Sequence, residues 1–236
     1  MALPVLTQPE FFANIPSSGK EIKYTPFTVK QQKALFFALE SKSIKEISNA
    51  VQNIIEECVI TNIKVDDLAP FDIEYIFLQL RGKSIGEVIE LNVKHQDPES
   101  ECNHATQVVV NLEDIKVTIP DDYSNKIMVH DKIGVVMAYP KFKDAEKYEK
   151  IEGKPSELFD LIIDNIEMVF DENEVYDNFS KQELNTFVDS LGTDALTKML
   201  DFYKRMPKLS HNIEFTCPQC GKNEEVLVEG LQSFFT

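Results

Sequence analysis

The sequence predicts an α+β protein in which helical segments at the N-terminal and C-terminal ends surround a small antiparallel sheet. Helical patterns come first, alternating β-branched patterns follow, and helical patterns return before a final hairpin. Runs that are segregated in this way favour α+β over a doubly wound α/β fold, in which strands and helices would alternate along the whole chain.

The N-terminal part divides into an arm and a helical segment. Residues 1–27 are rich in proline and short polar turns, which predicts an extended arm that lies on a surface. Residues 28–84 carry helical apolar spacing. Thr28 and Gln31 predict a capping box at their start, with a break near 41–43. Gly82 is expected to end the third helix of this segment.

The remainder divides into three segments. Residues 85–140 alternate apolar and polar positions and predict strands, including a hairpin that turns near His130. Residues 141–207 return to helix, with Pro155 at a first helical position before a run that extends to Phe170. Two further helices are expected, one opened by a capping box of Ser180 and Glu183 and one capped by Thr193. Residues 208–236 form a strand, a loop, a strand and a tail.

The charge of the chain limits its partners. Its 236 residues have 40 acidic and 24 basic side chains and a net charge of −16. Binding to nucleic acid or to an anionic membrane needs clustered cations, so both are disfavoured. No apolar run approaches the ~20 residues that span a bilayer, and the N-terminus lacks a secretory pattern. We therefore expect a protein that is made in the cytoplasm.

The cysteines supply the most specific motif. Cys217 and Cys220 lie in "CPQCG" between two predicted strands, which is typical of one half of a zinc site. A redox Cys-x-x-Cys is the alternative, but it normally opens a helix, and no helical pattern follows here. Cys58 lies in a helical pattern and is expected to be a buried apolar residue.

A second strand–loop–strand segment could supply the other half. "ELNVKHQDPESECNHATQVVVNL" carries His95, Cys102 and His104 in its loop. We call this loop the first knuckle and the loop with Cys217 and Cys220 the second knuckle. Cys102 is the expected third ligand. His95 is favoured over His104 as the fourth, because His104 lies two residues after Cys102, where simultaneous coordination is strained. Four protein ligands make a closed, structural zinc site in a zinc-ribbon-like clip.

No pattern of catalytic residues appears beside these motifs. The sequence contains no G-x-S-x-G, P-loop or H-E-x-x-H motif. Asp66, Asp67, Asp72 and Glu74 are interpreted as acids favoured by a helix N-terminus. We therefore expect a protein that is not an enzyme, with no catalytic residues and no cofactor other than structural zinc. A Cys-x-x-Cys redox protein and a zinc-ribbon binding module are the alternatives.

Two phrases and the knuckles resemble one known family. "IPSSGKEIKYTPFTVKQQKALFFALES", "DIEYIFLQLRGKSIGE" and the paired knuckles before "SFF" resemble baseplate hub subunits and hub-assembly chaperones of T4-like bacteriophages, over essentially the whole chain. Many relatives have cysteine at both ends of the first knuckle, where this chain has His95 and Cys102. The resemblance implies a role in building the baseplate hub in the host cytoplasm, and it leaves open whether the protein remains in the virion tail.

The resemblance also implies hub proteins as partners, with self-association as a further expectation. Exposed aromatic residues commonly mark interaction surfaces. The arm and the tail "LQSFFT" carry aromatic and other apolar side chains outside any periodic element, and these are expected to dock on hub proteins or on another copy of the chain. These side chains are Phe11, Phe12, Ile15, Phe234 and Phe235. The alternative is that both segments fold back and fill gaps in their own core.

Overall fold

The structure is a computed structural model that describes residues 6–95, 102–144, 155–230 and 233. The chain forms two compact units. Unit 1 combines Met1–Thr118 with Lys208–Thr236, and unit 2 is Ile119–Pro207. Unit 1 is therefore built from both ends of the chain, and unit 2 lies between them in sequence. The predicted tail residues Phe234 and Phe235 lie outside the described residues.

The described residues form six α-helices and eleven strands. The helices are α1 (Val29–Ser41), α2 (Ile44–Cys58), α3 (Pro70–Ile85), α4 (Pro155–Asp164), α5 (Lys181–Asp189) and α6 (Thr193–Lys204). The strands are β1 (Phe11–Asn14), β2 (Glu21–Tyr24), β3 (Val88–Val93), β4 (Thr106–Asn111), β5 (Lys116–Thr118), β6 (Lys126–Met128), β7 (Gly134–Met137), β8 (Ile166–Phe170), β9 (Val175–Tyr176), β10 (Lys208–Thr216) and β11 (Asn223–Glu229). The architecture is mixed α and β.

All strand pairs among the described residues are antiparallel. The sequence predicted one small sheet, whereas the strands form separate sheets. Unit 1 has the pairs β1–β2 and β3–β4 and a three-stranded sheet in the order β11–β10–β5. Unit 2 has a four-stranded sheet in the order β6–β7–β8–β9. Residues of β5 and β10 pair across roughly ninety positions of sequence (Leu209 with Val117), so local patterning could not reveal this contact.

The predicted helix starts agree with the structure to within one residue, whereas two predicted helix ends differ by more. Thr28 and Ser180 each form the predicted capping box. Gly82 lies inside α3, which continues to Ile85 and ends at Gly86, whose φ is 144°. Gly82 is buried in the core, so packing outweighs its helix cost of about 1 kcal/mol. Thr193 is the first residue of α6 rather than its N-cap, which is Gly192.

The predicted helix after Pro155 is shorter than expected. It begins at Pro155 as predicted but ends at Asp164, and Ile166–Phe170 is strand β8, paired with β7. The buried Asn165 makes the change of direction, because its side-chain amide donates to the Leu161 carbonyl at 2.8 Å. The pairing with β7 then outweighs the helical spacing of this segment.

Within the predicted arm, residues 11–24 form a packed hairpin. Strands β1 and β2 pair, and the side chains of Ile15, Ile22, Tyr24 and Phe27 are buried in the core of unit 1. The expectation that Ile15 docks on a partner is therefore wrong. Phe12 is exposed, as expected.

Asp72 is the residue that holds this hairpin on α3. Its side chain is fully buried, and it accepts hydrogen bonds from Ser17 N at 2.9 Å, from Ser17 Oγ at 2.6 Å and from Ala69 N at 3.3 Å. The Ala69 bond caps the first turn of α3. The interpretation of Asp72 as an acid favoured by a helix N-terminus is therefore incomplete, because its oxygens also join two distant segments. Burial raises the pKa of Asp72, against these three hydrogen bonds.

The core of unit 1 lies between its two larger antiparallel assemblies and α3. Leu78 of α3, Leu91 of β3, Val110 of β4 and Ile213 of β10 belong to one cluster of buried side chains. Cys217 belongs to the same cluster, and Cys102 packs against it. The two knuckles are therefore supported by a continuous apolar core.

Unit 2 has a separate core of its own. The buried side chains of its helices and of its four-stranded sheet form one cluster that includes Val135, Ile162 and Met199. The aromatic rings of Tyr123 and Phe202 stack at a centroid distance of 5.3 Å. In the part of the chain that the structure describes, no helix is both long and apolar enough to cross a membrane.

Candidate metal site

The candidate site lies at the loop ends of two hairpins of unit 1. His95 follows β3 and Cys102 precedes β4, and β3 and β4 pair up to Val93 and Thr106. Cys217 directly follows β10, and Cys220 lies in the turn before β11. The sequence therefore places each of the four side chains at the end of a paired strand, and the fold brings the two loops together.

The second knuckle is a tight turn closed by its own backbone. Cys217 N donates to the Lys222 carbonyl at 2.9 Å, and Gly221 N donates to the Cys217 carbonyl at 2.9 Å. Gly221 has a φ of 71°, a conformation that residues with a Cβ rarely adopt. The glycine of "CPQCG" thus allows the turn that brings Cys217 and Cys220 to the same side.

The four side chains converge on one point. The Sγ atoms of Cys102, Cys217 and Cys220 and a ring nitrogen of His95 all lie within 4.8 Å of one another. The two Sγ atoms of Cys102 and Cys217 are 3.8 Å apart, and Cys220 Sγ is 3.5 Å from His95 Nε2.

The Cys102–Cys217 and Cys220–His95 distances fit four ligand atoms arranged as a tetrahedron around one metal ion. Metal–sulfur bonds of about 2.3 Å and metal–nitrogen bonds of about 2.05 Å imply tetrahedral edges of about 3.8 Å between sulfurs and about 3.5 Å between sulfur and nitrogen. The two distances above have these lengths. A set of three thiols and one imidazole is typical of a closed zinc site, and it leaves no position for a substrate or a water molecule.

His95 is held by an acid on the neighbouring hairpin. Its Nδ1 atom makes a short hydrogen bond with Oε1 of Glu224, and the His95 side chain is almost fully buried. The ring also packs beside Phe215 at a centroid distance of 6.0 Å. Because Nδ1 is engaged by Glu224, Nε2 is the nitrogen that faces the three sulfur atoms.

The site shifts the pKa values of its members in opposite directions. The hydrogen bond with Glu224 raises the pKa of His95 to about 9. Burial raises the pKa of the Cys217 thiol, but hydrogen bonds from the Cys220 backbone N–H and from His95 outweigh it and lower that pKa to about 6. The two groups therefore favour an ion pair of imidazolium and thiolate, and a metal ion would bind the thiolate and displace the proton from Nε2 of His95.

His104 lies apart from this group. Its backbone N–H lowers the pKa of Cys102, although burial and the neighbouring thiols raise that pKa overall. The ring of His104 does not belong to the convergent set, which within the described residues consists of His95 and the three cysteines. Cys58 is buried in α2, and burial raises its pKa to about 11, as expected for an inert structural thiol.

Sequence reasoning missed Glu224. Alternation along β11 places Glu224 on the same face as the buried Val226, while Glu225 points to solvent. An acid at an inward-facing position of a strand needs a partner, since burial of an unpaired charge is costly. That pattern was a usable signal, but it could not say which distant residue the acid would meet.

The fold and the site define a mixed α/β protein whose C-terminal hairpin converges with a central hairpin on a His/Cys cluster. The chain belongs to the family described as T4 bacteriophage base plate protein, whose family model matches residues 8–236. This match confirms the resemblance seen in the sequence.

One protein that is similar to this chain is named as a baseplate hub assembly protein. The chain is 23% identical over 230 residues to the baseplate hub assembly protein gp26 of Enterobacteria phage T4. The match covers 96% of this chain and 98% of that relative. No solved structure matches the chain significantly.

Proposed function

We propose that this protein acts in the assembly or structure of the central hub of a phage tail baseplate, and that it does so without catalysing a reaction. The observation that carries the proposal is the match along almost the full length of both chains to a hub assembly protein. The match extends over most of both chains and is not limited to one shared segment. The place of action is the host cytoplasm during assembly and the tail baseplate, and the partners are other hub proteins.

Affinity purification tests this role. The tagged chain is expressed in host cells infected with the phage that encodes it, and the co-purified proteins are identified by mass spectrometry. The expected result is that hub proteins of the baseplate co-purify with the full tagged chain. An equally acidic host protein with the same tag is the control. Recovery of no baseplate protein above that control contradicts the proposed role.

We further propose that His95, Cys102, Cys217 and Cys220 bind one structural zinc ion per chain. Support comes from the convergence of their ligand atoms, from the two edge distances and from the thiolate character of Cys217. The ion would tie the C-terminal hairpin to the β3–β4 hairpin. Native mass spectrometry of protein purified without chelator should show one added zinc, and a fully folded protein with no metal contradicts this proposal.

The choice of histidine is tested by a pair of variants. His95→Ala should lower the affinity for zinc strongly, because it removes a ligand atom that lies 3.5 Å from Cys220 Sγ. His104→Ala should retain zinc, since the His104 ring lies outside the convergent group. Competition with a chromogenic chelator measures both affinities. The reverse order would show that His104 is the fourth ligand.

Glu224 is expected to tune the site through His95. Glu224→Gln weakens the acceptor for His95 Nδ1 and should lower zinc affinity about 10–100-fold, the usual effect of an outer-shell change. Glu225→Gln is the matched control, because it removes the same charge from the next residue, on the exposed face of β11. Equal affinities in the two variants, measured by chelator competition, would mean that Glu224 has no positioning role.

A thiol-redox protein is the alternative that a specific observation favours. The pKa of Cys217 is lowered to about 6, and low thiol pKa values are also found in redox motifs. The two functions differ in thiol reactivity. Zinc-bound Cys217 and Cys220 should react slowly with a thiol reagent until a chelator is added, whereas a redox pair should cycle with dithiothreitol and carry no metal.

A further inference from the structure

The three sulfur atoms of the candidate metal site differ in their access to solvent. Cys220 is exposed, Cys102 is half-buried and Cys217 is fully buried. A closed site has no position for a substrate, but its ligand atoms remain reactive, because the oxidation of a cysteine follows its thiolate character and its exposure. Cys220 is therefore the ligand at which an oxidant from solvent can enter the site.

The second knuckle keeps Cys217 and Cys220 together without help from the other hairpin. Gly221 N donates to the Cys217 carbonyl at 2.9 Å, and Thr216 pairs with Asn223 at the base of the turn. In a tight turn, Cα atoms three residues apart lie within roughly 7 Å of each other, and a disulfide needs roughly 4.4–6.8 Å. The two Sγ atoms already lie within 4.8 Å of each other. A bond between them therefore needs a change of side-chain rotamers and no movement of a strand.

Cys102 comes close to these sulfur atoms in a different way. Its Sγ atom is 3.8 Å from Cys217 Sγ, but the two residues are 115 positions apart and belong to different hairpins. A bound ion would join the two loops at this point, and its loss removes that link. The second knuckle still closes its own turn, so Cys217 and Cys220 are the pair that an oxidant would join.

We propose that a peroxide opens the zinc clip by joining Cys217 and Cys220 in a disulfide, which releases the ion. The inference rests on the zinc site proposed above and assigns a regulation to it. His95 and Cys102 are then left as two of four ligands, so the C-terminal hairpin is no longer tied to the β3–β4 hairpin. Because cytoplasmic thiols are kept reduced, the clip is closed where the chain is made, and the resident form is reduced and zinc-bound.

The reaction balances with one molecule of hydrogen peroxide. The thiolate of Cys220 attacks one peroxide oxygen, the O–O bond breaks, and a sulfenic acid and a hydroxide ion form. The thiolate of Cys217 then attacks the Cys220 sulfur, the S–O bond breaks, and a second hydroxide ion leaves. Two protons convert the hydroxide ions to water. The two thiolates have thus lost two electrons, which the peroxide has gained.

Peroxide treatment of the zinc-loaded full chain tests the proposal. A chromogenic chelator reports released zinc, free thiols are then alkylated, and the peptides are mapped by mass spectrometry. The expected result is loss of the zinc ion, a disulfide between Cys217 and Cys220, and an alkylated Cys102. Dithiothreitol followed by added zinc should restore the zinc-bound form.

The outcomes separate this inference from the site on which it rests. Zinc that stays bound in peroxide, release without the disulfide, or a disulfide that includes Cys102 overturns the inference and leaves the zinc site in place. A folded chain that is purified without zinc contradicts the site itself.

Two ligand exchanges locate the reactive pair. Cys220→His and Cys102→His each replace one thiol by an imidazole and give two cysteines and two histidines, a set that also binds zinc. Cys220→His should retain zinc in peroxide under conditions in which Cys102→His loses it and forms the disulfide. Cys58→Ala should respond as the wild type does, because Cys58 is buried in α2, outside the site. Equal loss of zinc in the two histidine variants overturns the proposal, and the peptide map of the wild type decides it even where a variant binds no zinc.

Discussion

Replacing Cys217 with Ser is expected to release the zinc ion and to loosen the C-terminal hairpin without unfolding the chain. Cys217 is a fully buried ligand of the proposed site, and hydrogen bonds lower the pKa of its thiol to about 6. Its loss should therefore cost more zinc affinity than the roughly 10–100-fold of an outer-shell change. Zinc content is measured by native mass spectrometry, and loosening is measured by amide hydrogen exchange.

The expected pattern of exchange is local. Amides of β11 and of the second knuckle should exchange faster in Cys217→Ser, whereas amides of unit 2 should remain protected, because the core of unit 2 is a separate cluster from the one that contains Cys217. Cys58→Ala is the control, since Cys58 is a buried thiol that lies in α2. Loss of zinc in that control, or global exchange in Cys217→Ser, would contradict a role limited to clipping the hairpin.

Asp72→Ala is expected to destabilise the protein by roughly 2–4 kcal/mol. The change removes three hydrogen bonds, so the Ala69 N–H at the start of α3 and the Ser17 N–H of the β1–β2 turn lose their acceptor. Glu46→Ala is the control, because Glu46 is an exposed acid in the first turn of α2 and should cost about 1 kcal/mol or less. Urea unfolding measures both, and equal midpoints would contradict an anchoring role for Asp72.

The same residue gives a pH dependence of defined sign. Burial raises the pKa of Asp72, so the folded chain retains this proton at a pH where the unfolded chain has released it. The contribution of Asp72 to the free energy of unfolding is therefore complete below its unfolded pKa of about 3.9. It declines as the pH rises through the pKa of Asp72 in the folded chain. The stability of the wild type relative to Asp72→Asn should fall over that range, and a difference that stays constant with pH would contradict the shift.

Much of the local structure could be predicted because it depends on neighbouring residues. The capping boxes at Thr28 and Ser180 satisfy backbone N–H groups within one turn, so the spacing of side chains is sufficient to locate them. The knuckle at Cys217 is local for the same reason. The family was also predictable, because its characteristic phrases lie along the whole chain and the family match confirmed it.

Other predictions failed where distant contacts compete with local preference. The segment Ile166–Phe170 has helical spacing, but β7 offers a pairing edge, and the segment becomes strand β8. Glycine often ends a helix, but Gly82 is a buried residue inside α3, which continues to Ile85. The prolines and turns of the N-terminal segment are visible in the sequence, so they predict an arm. The carboxylate that anchors this segment belongs to Asp72 of α3, which lies 55 residues after Ser17.

The sequence by itself determined the helix starts, the strand–loop–strand form of both knuckles, the acidic charge and the membership of a baseplate family. Each of these depends on side chains within a few residues of one another, or on composition. Only the tertiary structure decided that Ile15 is in the core and that Glu224 meets His95 across 129 positions. These contacts depend on which faces the apolar core brings together, and a linear pattern does not contain that information.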